Sequence, residues 1–242
     1  METRFSHEPA PILTFSREGV RALDRAAAED LGIPGLILME NAAAALEAAY
    51  RQRADPGLTA SAIVLAGPGN NGGDGFALAR RLANRGVQVV IALAFDPARA
   101  KGDAATNLAI VQRMGLQLIT LSAGNIDRAL APLLSAKRTI VIDALLGTGA
   151  DREPRGLIAD AIEWSNAARS AGAFVMAVDI PSGLDCDSGR PLGAGVVHAD
   201  LTVTLAGMKR GLRTPESRRW SGEVLVGDIG APPSLLRRFA DA

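Results

Sequence analysis

Short apolar runs alternate with longer amphipathic stretches from about residue 61 onward. The runs are bounded by turn-forming residues, which is typical of buried β-strands, and the stretches between them have the apolar spacing of α-helices. Upstream, Ser16 is placed to cap a helix that runs to about Leu31, and Pro34 is placed to begin a second one. The predicted strands are SAIVLAG, VQVVIALAF, LQLITL, RTIVIDALLG, AFVMAVDI, DLTVTLAG and GEVLVGDIG.

Strands that are apolar throughout and separated by helices are typical of a parallel sheet covered on both faces. The pattern therefore predicts an α/β fold: a single-domain, Rossmann-like, three-layer α/β/α sandwich with a mostly parallel sheet. No internal repeat, low-complexity segment or linker is visible. We expect one domain over residues 16–242, preceded by a loose N-terminal segment over residues 1–15.

Composition removes several classes of function. The chain has 242 residues, and its 26 Lys and Arg balance its 26 Asp and Glu, so no general attraction to nucleic acid or an anionic membrane is expected. One cysteine, Cys186, rules out an internal disulfide, and two histidines give no zinc-type spacing. The longest apolar run, residues 89–95, is far too short to span a membrane. A cytoplasmic protein is the simplest interpretation.

The stretch AGPGNNGGDGFALARRL follows a predicted strand and opens a predicted helix. Gly67, Gly69 and Gly72 match the pattern G-x-G-x-x-G, whose backbone N–H groups can hold a pyrophosphate at a helix N-terminus. A tight turn without a ligand is the alternative. Asp74 would repel a phosphate, so either a metal ion offsets its charge or it faces a hydroxyl group.

Other polar side chains follow predicted strands. Asp143 comes after TIVI, Asp179 after VMAV, and Lys209 shortly after TVTLAG. Because ligands bind beyond the carboxyl ends of parallel strands, we expect these three side chains to meet Asp74 in one pocket. Asn71, Asp143 and Ser182 offer hard oxygen atoms, which suit a cation of the Group 1 or 2 type.

At these residues the chain resembles a known family, the YjeF N-terminal domain. The resemblance covers residues 16–231 and rests on GLILMENAA, GPGNNGGDGFALAR, VIDALLGTG, VDIPSGLDCDSG and ADLTVTLAGMKRGL, in the family's order. Members with the full set of motifs are NAD(P)H-hydrate epimerases, which interconvert the R and S forms of NADH or NADPH hydrated at C6 (NADHX and NADPHX). They are usually dimeric and bind a potassium ion.

The resemblance implies a set of site residues for this chain. Potassium would be held by Asn71, Asp143 and Ser182, and Lys209 would lie near the reacting centre. The substrate would be bound by Asn70, Asn71, Gly72, Gly73, Asp74, Gly147, Thr148, Gly149, Ala150, Asp151, Arg152, Glu153 and Asp179. Many relatives carry a fused dehydratase domain, and the length of this chain predicts that it works with a separate one.

Our hypothesis for the chemistry is that Asp179 acts as acid and then base, Lys209 tunes its charge and Asp74 positions the substrate. Opening and reclosing of the nicotinamide ring is an alternative route with the same groups. A nicotinamide dehydrogenase of the short-chain type needs a tyrosine and a lysine four residues apart on a helix. This interpretation is disfavoured because the only tyrosine, Tyr50, has no lysine four residues after it. Other lineages of the fold serve as scaffolds in mRNA decapping or lipoprotein binding, so a non-catalytic binding module is the remaining alternative.

Overall fold

The computed structural model describes residues 12–54, 61–135 and 139–241. Its strands are β1 (Thr14–Phe15), β2 (Ser61–Ala66), β3 (Gln88–Leu93), β4 (Gln117–Thr120), β5 (Thr139–Ala144), β6 (Phe174–Val178), β7 (Leu201–Leu205), β8 (Met208–Lys209) and β9 (Glu223–Gly227). Its α-helices are α1 (Arg17–Glu29), α2 (Gly35–Ala49), α3 (Asn70–Ala83), α4 (Gly102–Arg113), α5 (Ile126–Leu130), α6 (Leu157–Ser170), α7 (Arg218–Ser221) and α8 (Pro233–Phe239). A π-helical turn, Tyr50–Ala54, extends α2.

Seven strands form one sheet in the order β4-β3-β2-β5-β6-β7-β9, and every neighbouring pair is parallel. The order reverses direction at β2 and β5, which is the switch point where ligands bind in open α/β sheets. The seven predicted strands are all present, and the predicted Rossmann-like α/β fold is confirmed.

Side chains of β2 show how the sheet is covered on both faces. Val64 belongs to an apolar cluster that includes residues of α2 and α3, whereas Ile63 and Leu65 belong to a second cluster that includes residues of α6. Successive strand residues point to opposite faces, so an apolar run without alternation needs helices on both sides. The absence of alternation in the sequence is therefore explained by three layers.

The start of the described chain differs from the expected loose segment. Thr14 and Phe15 pair in parallel with Met208 and Lys209 as a two-stranded sheet, and Phe15 is completely buried. Residues 1–11 lie outside the described residues. The predicted cap of α1 is present, since the Ser16 hydroxyl accepts a hydrogen bond of 3.1 Å from the backbone N–H of Gly19.

The glycine-rich stretch after β2 is the tightest connection of the fold. Its polar residues are not a loop, because α3 begins at Asn70. A Cβ atom on Gly67 would clash with the carbonyl oxygen of Leu145, and one on Gly72 would clash with the carbonyl oxygen of Gly67. These two glycines are therefore required for close packing of α3 against the ends of β2 and β5.

We predict that Gly72→Ala lowers the free energy of unfolding by up to about 2 kcal/mol, because the added methyl group meets backbone rather than a movable side chain and the repulsion costs about 1–3 kcal/mol. The gain in helix propensity, about 1 kcal/mol, is smaller than the expected repulsion at its upper range. Urea denaturation measures the change. Gly149→Ala is the matched control, since a Cβ there meets nothing within 4 Å, and equal stability of the two variants would contradict the packing argument.

Candidate functional site

A cavity of about 1290 Å³ lies at the carboxyl end of the sheet. Its walls come from α1, α2, the start of α3 and the segment after β5, and the ends of β6 and β7 close it. Asp24, Asp74, Asp179 and Lys209 all line it. Three of the acidic groups that line this cavity and one lysine therefore share one space at the switch point of the sheet.

Asp179 follows β6 directly, and its backbone is in the left-handed region, with φ 68°. A residue other than glycine rarely adopts this conformation, and such strain is concentrated at functional sites. The strain places the side chain beneath the cavity. Its Oδ1 atom accepts a hydrogen bond from the backbone N–H of Leu205 at 3.1 Å and lies 2.7 Å from the Lys209 ammonium nitrogen.

Lys209 is completely buried, although lysine is usually exposed. Its ammonium group donates to the carbonyl oxygen of Leu205 at 2.6 Å and to the hydroxyl of Thr204 at 3.1 Å, in addition to the ion pair with Asp179. A buried charge is tolerated when it is paired and hydrogen-bonded. Lys209 is held in this position by strand β8, which pairs with β1.

Asp74 lies in the first turns of α3 and is only 9% exposed. Burial, with smaller contributions from the negative charges of Asp179 and Asp24, raises the pKa of Asp74 well above its usual value of 3.8, and Lys209 opposes the shift. The protonated, neutral form of the Asp74 carboxyl is therefore favoured relative to that of an exposed aspartate. This shift reduces the repulsion between the carboxyl and a phosphate group at the glycine-rich helix start.

Asn71 and the residues behind it form a group of oxygen atoms. The Asn71 amide donates to the carbonyl oxygen of Leu146 at 2.9 Å, while its Oδ1 atom is buried and has no hydrogen-bond partner among the described residues. Buried polar atoms without partners are rare and call for an explanation such as a bound ion.

Asp143 is fully buried within β5 and does not line the cavity, unlike the other acids expected there. Its Oδ1 atom accepts a hydrogen bond of 2.6 Å from the Ser182 hydroxyl, which lies 3.2 Å from the carbonyl oxygen of Leu146. Burial raises the pKa of Asp143 to about 6, and hydrogen bonds from Ser182 and Leu145 limit the shift. The Ser182 hydroxyl thus contacts both Asp143 and the carbonyl oxygen of Leu146. The Asn71 amide contacts the same carbonyl oxygen.

The segment after β5 supplies the outer wall of the cavity with Gly147, Thr148, Gly149, Ala150, Asp151, Arg152 and Glu153. Arg17 holds this wall: its guanidinium donates to the carbonyl oxygens of Thr148 and Ala150, both at 2.8 Å, and to Asp185 at 2.5 Å. Asn70 also lines the cavity, whereas Gly72 and Gly73 are buried inside α3 and do not.

Two residues of α1, Arg17 and Asp24, belong to this site and were not identified from the sequence. Neither residue follows a strand of the main sheet, because α1 precedes that sheet. The available signal was spacing: Arg17, Arg21, Asp24 and Ala28 follow a 4-3-4 pattern that places them on one helical face. A polar face of that kind is also typical of a solvated helix, so the pattern alone does not indicate a site.

The fold and the cavity define an α/β protein with a ligand site at the carboxyl edge of a parallel sheet. A family model described as "YjeF-related protein N-terminus" matches residues 35–211, and the chain belongs to this family. A crystal structure of yeast ynu0 superimposes with a TM-score of 0.77, at 22% identity over 93% of both chains, which supports the fold.

Two curated relatives are more similar in sequence. The chain is 40% identical over 227 residues to an NAD(P)H-hydrate epimerase of Pirellula staleyi, covering 93% of this chain and 96% of that protein. It is 35% identical over 237 residues to the bifunctional NAD(P)H-hydrate repair enzyme Nnr of Salinibacter ruber. That match covers 96% of this chain and 43% of the relative, so the chain spans less than half the length of the bifunctional protein.

The described residues contain neither a membrane-spanning helix nor a cluster of ligands typical of a transition-metal site. Over residues 12–54, 61–135 and 139–241, no helix is both long and apolar enough to cross a membrane. In the same part of the chain, no group of three or more His, Cys, Asp or Glu side chains is arranged to hold a metal ion.

The raised pKa of Asp74 predicts a pH-dependent loss of stability. Below pH 3.8, the pKa of an unperturbed aspartate, Asp74 is protonated in both the folded and the unfolded chain. As the pH rises above 3.8, the unfolded chain releases this proton while the folded chain retains it. Folding thus becomes less favourable with increasing pH. We expect Asp74→Asn to raise the free energy of unfolding at pH 8 by on the order of 1–3 kcal/mol, with the difference closing toward pH 4.

Urea denaturation at a series of pH values tests this expectation. The matched control is Glu163→Gln, which removes one negative charge from the exposed face of α6 and is expected to have the same stability as the original chain at each pH. A destabilised Asp74→Asn protein at pH 8 would show that the carboxyl is accommodated as an anion.

Proposed function

We propose that the chain is an NAD(P)H-hydrate epimerase that interconverts the R and S forms of C6-hydrated NADH and NADPH. The observation that carries the proposal is the buried Asp179–Lys209 pair at the base of the cavity, in a chain that matches a curated epimerase along 96% of that protein's length. The activity named for that relative requires no redox partner, and it requires a proton donor and acceptor beside the hydrated carbon.

The cavity is suited to a dinucleotide. Its volume of about 1290 Å³ exceeds the ~300–1,000 Å³ of most small-ligand pockets. Arg152 and Arg155 line its outer part, where cationic side chains can meet a pyrophosphate. The Asp74 carboxyl and the backbone of residues 147–153 line the same cavity as these arginines and the Asp179–Lys209 pair, and they are the proposed contacts for the hydrate.

Asp179 is the proton-transfer group of this proposal. Its Oδ1 atom is occupied by Leu205 and Lys209, whereas its Oδ2 atom has no hydrogen-bond partner among the described residues and is available to a ligand. Protonation of the C6 hydroxyl by this carboxyl allows the ring nitrogen to expel water, and water then returns from the other face. Lys209 balances the carboxylate left behind. Ring opening and reclosure would use the same groups.

We predict that the original chain consumes the whole pool of mixed hydrates when it is combined with a dehydratase specific for one epimer. Asp179→Asn is expected to lower the rate of R/S exchange by about 100-fold or more, which is the usual contribution of a general acid–base. In that variant the dehydratase should consume only one epimer. Binding of the hydrate by the original chain without any exchange would instead support the non-catalytic module.

The proposal includes a potassium ion held by Asn71, Asp143 and Ser182. The partnerless Oδ1 atom of Asn71, the Asp143 carboxylate and the Ser182 hydroxyl are hard oxygen ligands of the type that Group 1 and 2 cations prefer. A bound ion would offset the charge of Asp143 and hold the start of α3 against the segment after β5.

We predict that replacing choline chloride with potassium chloride at constant ionic strength raises the melting temperature, because the ion binds only the folded state. Asn71→Ala is expected to remove most of this increase. The control is Asn70→Ala, which removes the neighbouring, exposed amide. A potassium-dependent increase that is unchanged in Asn71→Ala would exclude Asn71 as a ligand.

The remaining parts of the proposal concern partners and location. A separate dehydratase is the expected functional partner, since the bifunctional relatives combine NAD(P)H-hydrate repair activities in one longer chain. A homodimer and a cytoplasmic location are proposed from the family resemblance. The exposed Ile37 on α2, at 52%, is a candidate contact for a second copy.

A further inference from the structure

Helix α1 crosses the carboxyl edge of the sheet with one polar face toward the cavity. At its start, Arg17 donates to Thr148 and Ala150, as described above. One turn later Arg21 donates to the carbonyl oxygen of Gly149 at 3.4 Å. These contacts fix the rotation of the helix about its axis. Asp24, two turns beyond Arg17, therefore lies on the same face and lines the same cavity as Asp179.

Asp24 is exposed to the cavity, where both acidic and basic side chains surround it. Its carboxyl is accessible from the cavity and has no hydrogen-bond partner among the described residues. Loss of water around the group, and then the negative charge of Asp179, raise the pKa of Asp24 to about 6, while Lys209 opposes the shift. The charged side chains that share the cavity with it are Arg21, Arg25, Asp74, Arg99, Asp103, Arg152, Arg155, Asp179 and Lys209, together with Asp151 and Glu153.

A carboxyl group in this position has no evident role in holding the fold. Among the described residues, Asp24 makes no ion pair or hydrogen bond that would attach α1 to the fold, and Arg17 and Arg21 already attach the helix to the segment after β5. Carboxyl groups whose surroundings disfavour the charge, and which lie in a cleft beside other titratable groups, are characteristic of functional sites. Asp24 projects from α1, whereas Asp179 projects from the end of β6, so a ring bound between them is approached from two different elements.

We propose that Asp24 is a second proton-transfer residue of the site, acting on the C6 hydroxyl from the side of α1 while Asp179 acts from the side of the sheet. The inference rests on the proposed epimerase function. An epimerisation at C6 needs a hydroxyl to leave from one face and to return to the other. A single carboxyl group is poorly placed to transfer protons at both faces of C6. One carboxyl group on each side of the ring can transfer a proton at each face, in either direction of the reaction.

Each epimerisation has two steps, the loss of water from C6 and the addition of water to C6. The protonated carboxyl gives its proton to the departing hydroxyl, the C6–O bond breaks, and the electron pair of the ring nitrogen forms a double bond to C6. A water molecule then adds to the opposite face of C6, the electron pair of that double bond returns to nitrogen, and the other carboxylate takes the proton of the water. One proton has moved from one carboxyl to the other. Exchange with solvent, or a turnover in the opposite direction, restores the starting state.

The test compares Asp24→Asn, Asp24→Glu and Glu29→Gln with the original chain. Glu29→Gln removes a negative charge from the same helix outside the cavity and is the matched control. We expect Asp24→Asn to lower kcat by about 100-fold or more with KM changed by less than about threefold, because the residue acts in proton transfer. Asp24→Glu should recover part of kcat, and Glu29→Gln should behave as the original chain.

The pH profile of kcat separates proton transfer from a structural role. A site that needs one protonated and one ionised carboxyl group gives a bell-shaped profile, with an acidic and a basic limb. The two apparent pKa values describe the pair of carboxyl groups together. Asp24→Asn should lose the limb near pH 6. Thermal unfolding checks that every variant is folded. Because the pKa of Asp24 is raised in the folded protein, removing its charge should leave stability at pH 8 equal to or above that of the original chain.

The outcomes are distinct. If the original chain shows no R/S exchange, the proposed function fails and this inference fails with it. If the original chain is active and folded Asp24→Asn retains kcat within about twofold and both limbs, the inference alone is overturned. A rise in KM with unchanged kcat would also overturn it, because that result assigns Asp24 to substrate binding.

Discussion

The ion pair between Lys209 and Asp179 is the interaction on which the site depends. Moving two charged groups out of water is unfavourable by several kcal/mol per ion, and the attraction between them offsets this only when the remaining hydrogen-bonding positions are filled. Here the ammonium group has three further acceptors, Leu205, Thr204 and Gly207. Without this cation, Asp24, Asp74 and Asp179 would share one cavity with no buried positive charge beside them, and their ionised forms would be strongly disfavoured.

The grouping of these acidic side chains in one cavity lowers the stability of the fold and is suited to proton transfer. Burial and mutual repulsion raise the pKa of Asp74 and Asp24, so the folded protein holds protons that the unfolded chain would release. Groups that hold protons near neutral pH are suited to transferring them. A core of apolar side chains on both faces of the sheet supplies the stability that lets the chain keep such a cluster.

Sequence patterns predicted the sheet and part of the site for a physical reason. Asp179 and Lys209 follow adjacent parallel strands, whose carboxyl ends must lie at one edge, so their meeting was predictable without coordinates. The position of Asp143 was less predictable, because one residue of register decides whether a side chain at the end of a strand faces the cavity or the interior. Asp143 faces the interior and is bonded to Ser182.

Asp24 was beyond the reach of strand-end reasoning because its position depends on how α1 crosses the sheet, which is set by tertiary contacts of Arg17 and Arg21. The glycine-rich stretch was predicted to open a helix, but the position of the first helical residue, Asn70, was not visible, since the glycines there indicate a loop by composition and are required by packing instead. The low helix propensity of glycine favoured a loop, whereas the close approach of neighbouring backbone segments selected a helix.

The short ladder between β1 and β8 gives the beginning of the described chain an influence on the position of Lys209. Phe15 pairs with Lys209, and its ring occupies the space that a side chain at Gly207 would need. Asp241, at the other end of the described chain, donates its backbone N–H to the carbonyl oxygen of Thr14 at 2.7 Å. The two ends of the described chain are thus held together beside Lys209. A substitution at either end can therefore change the position of this lysine as well as the stability of the fold.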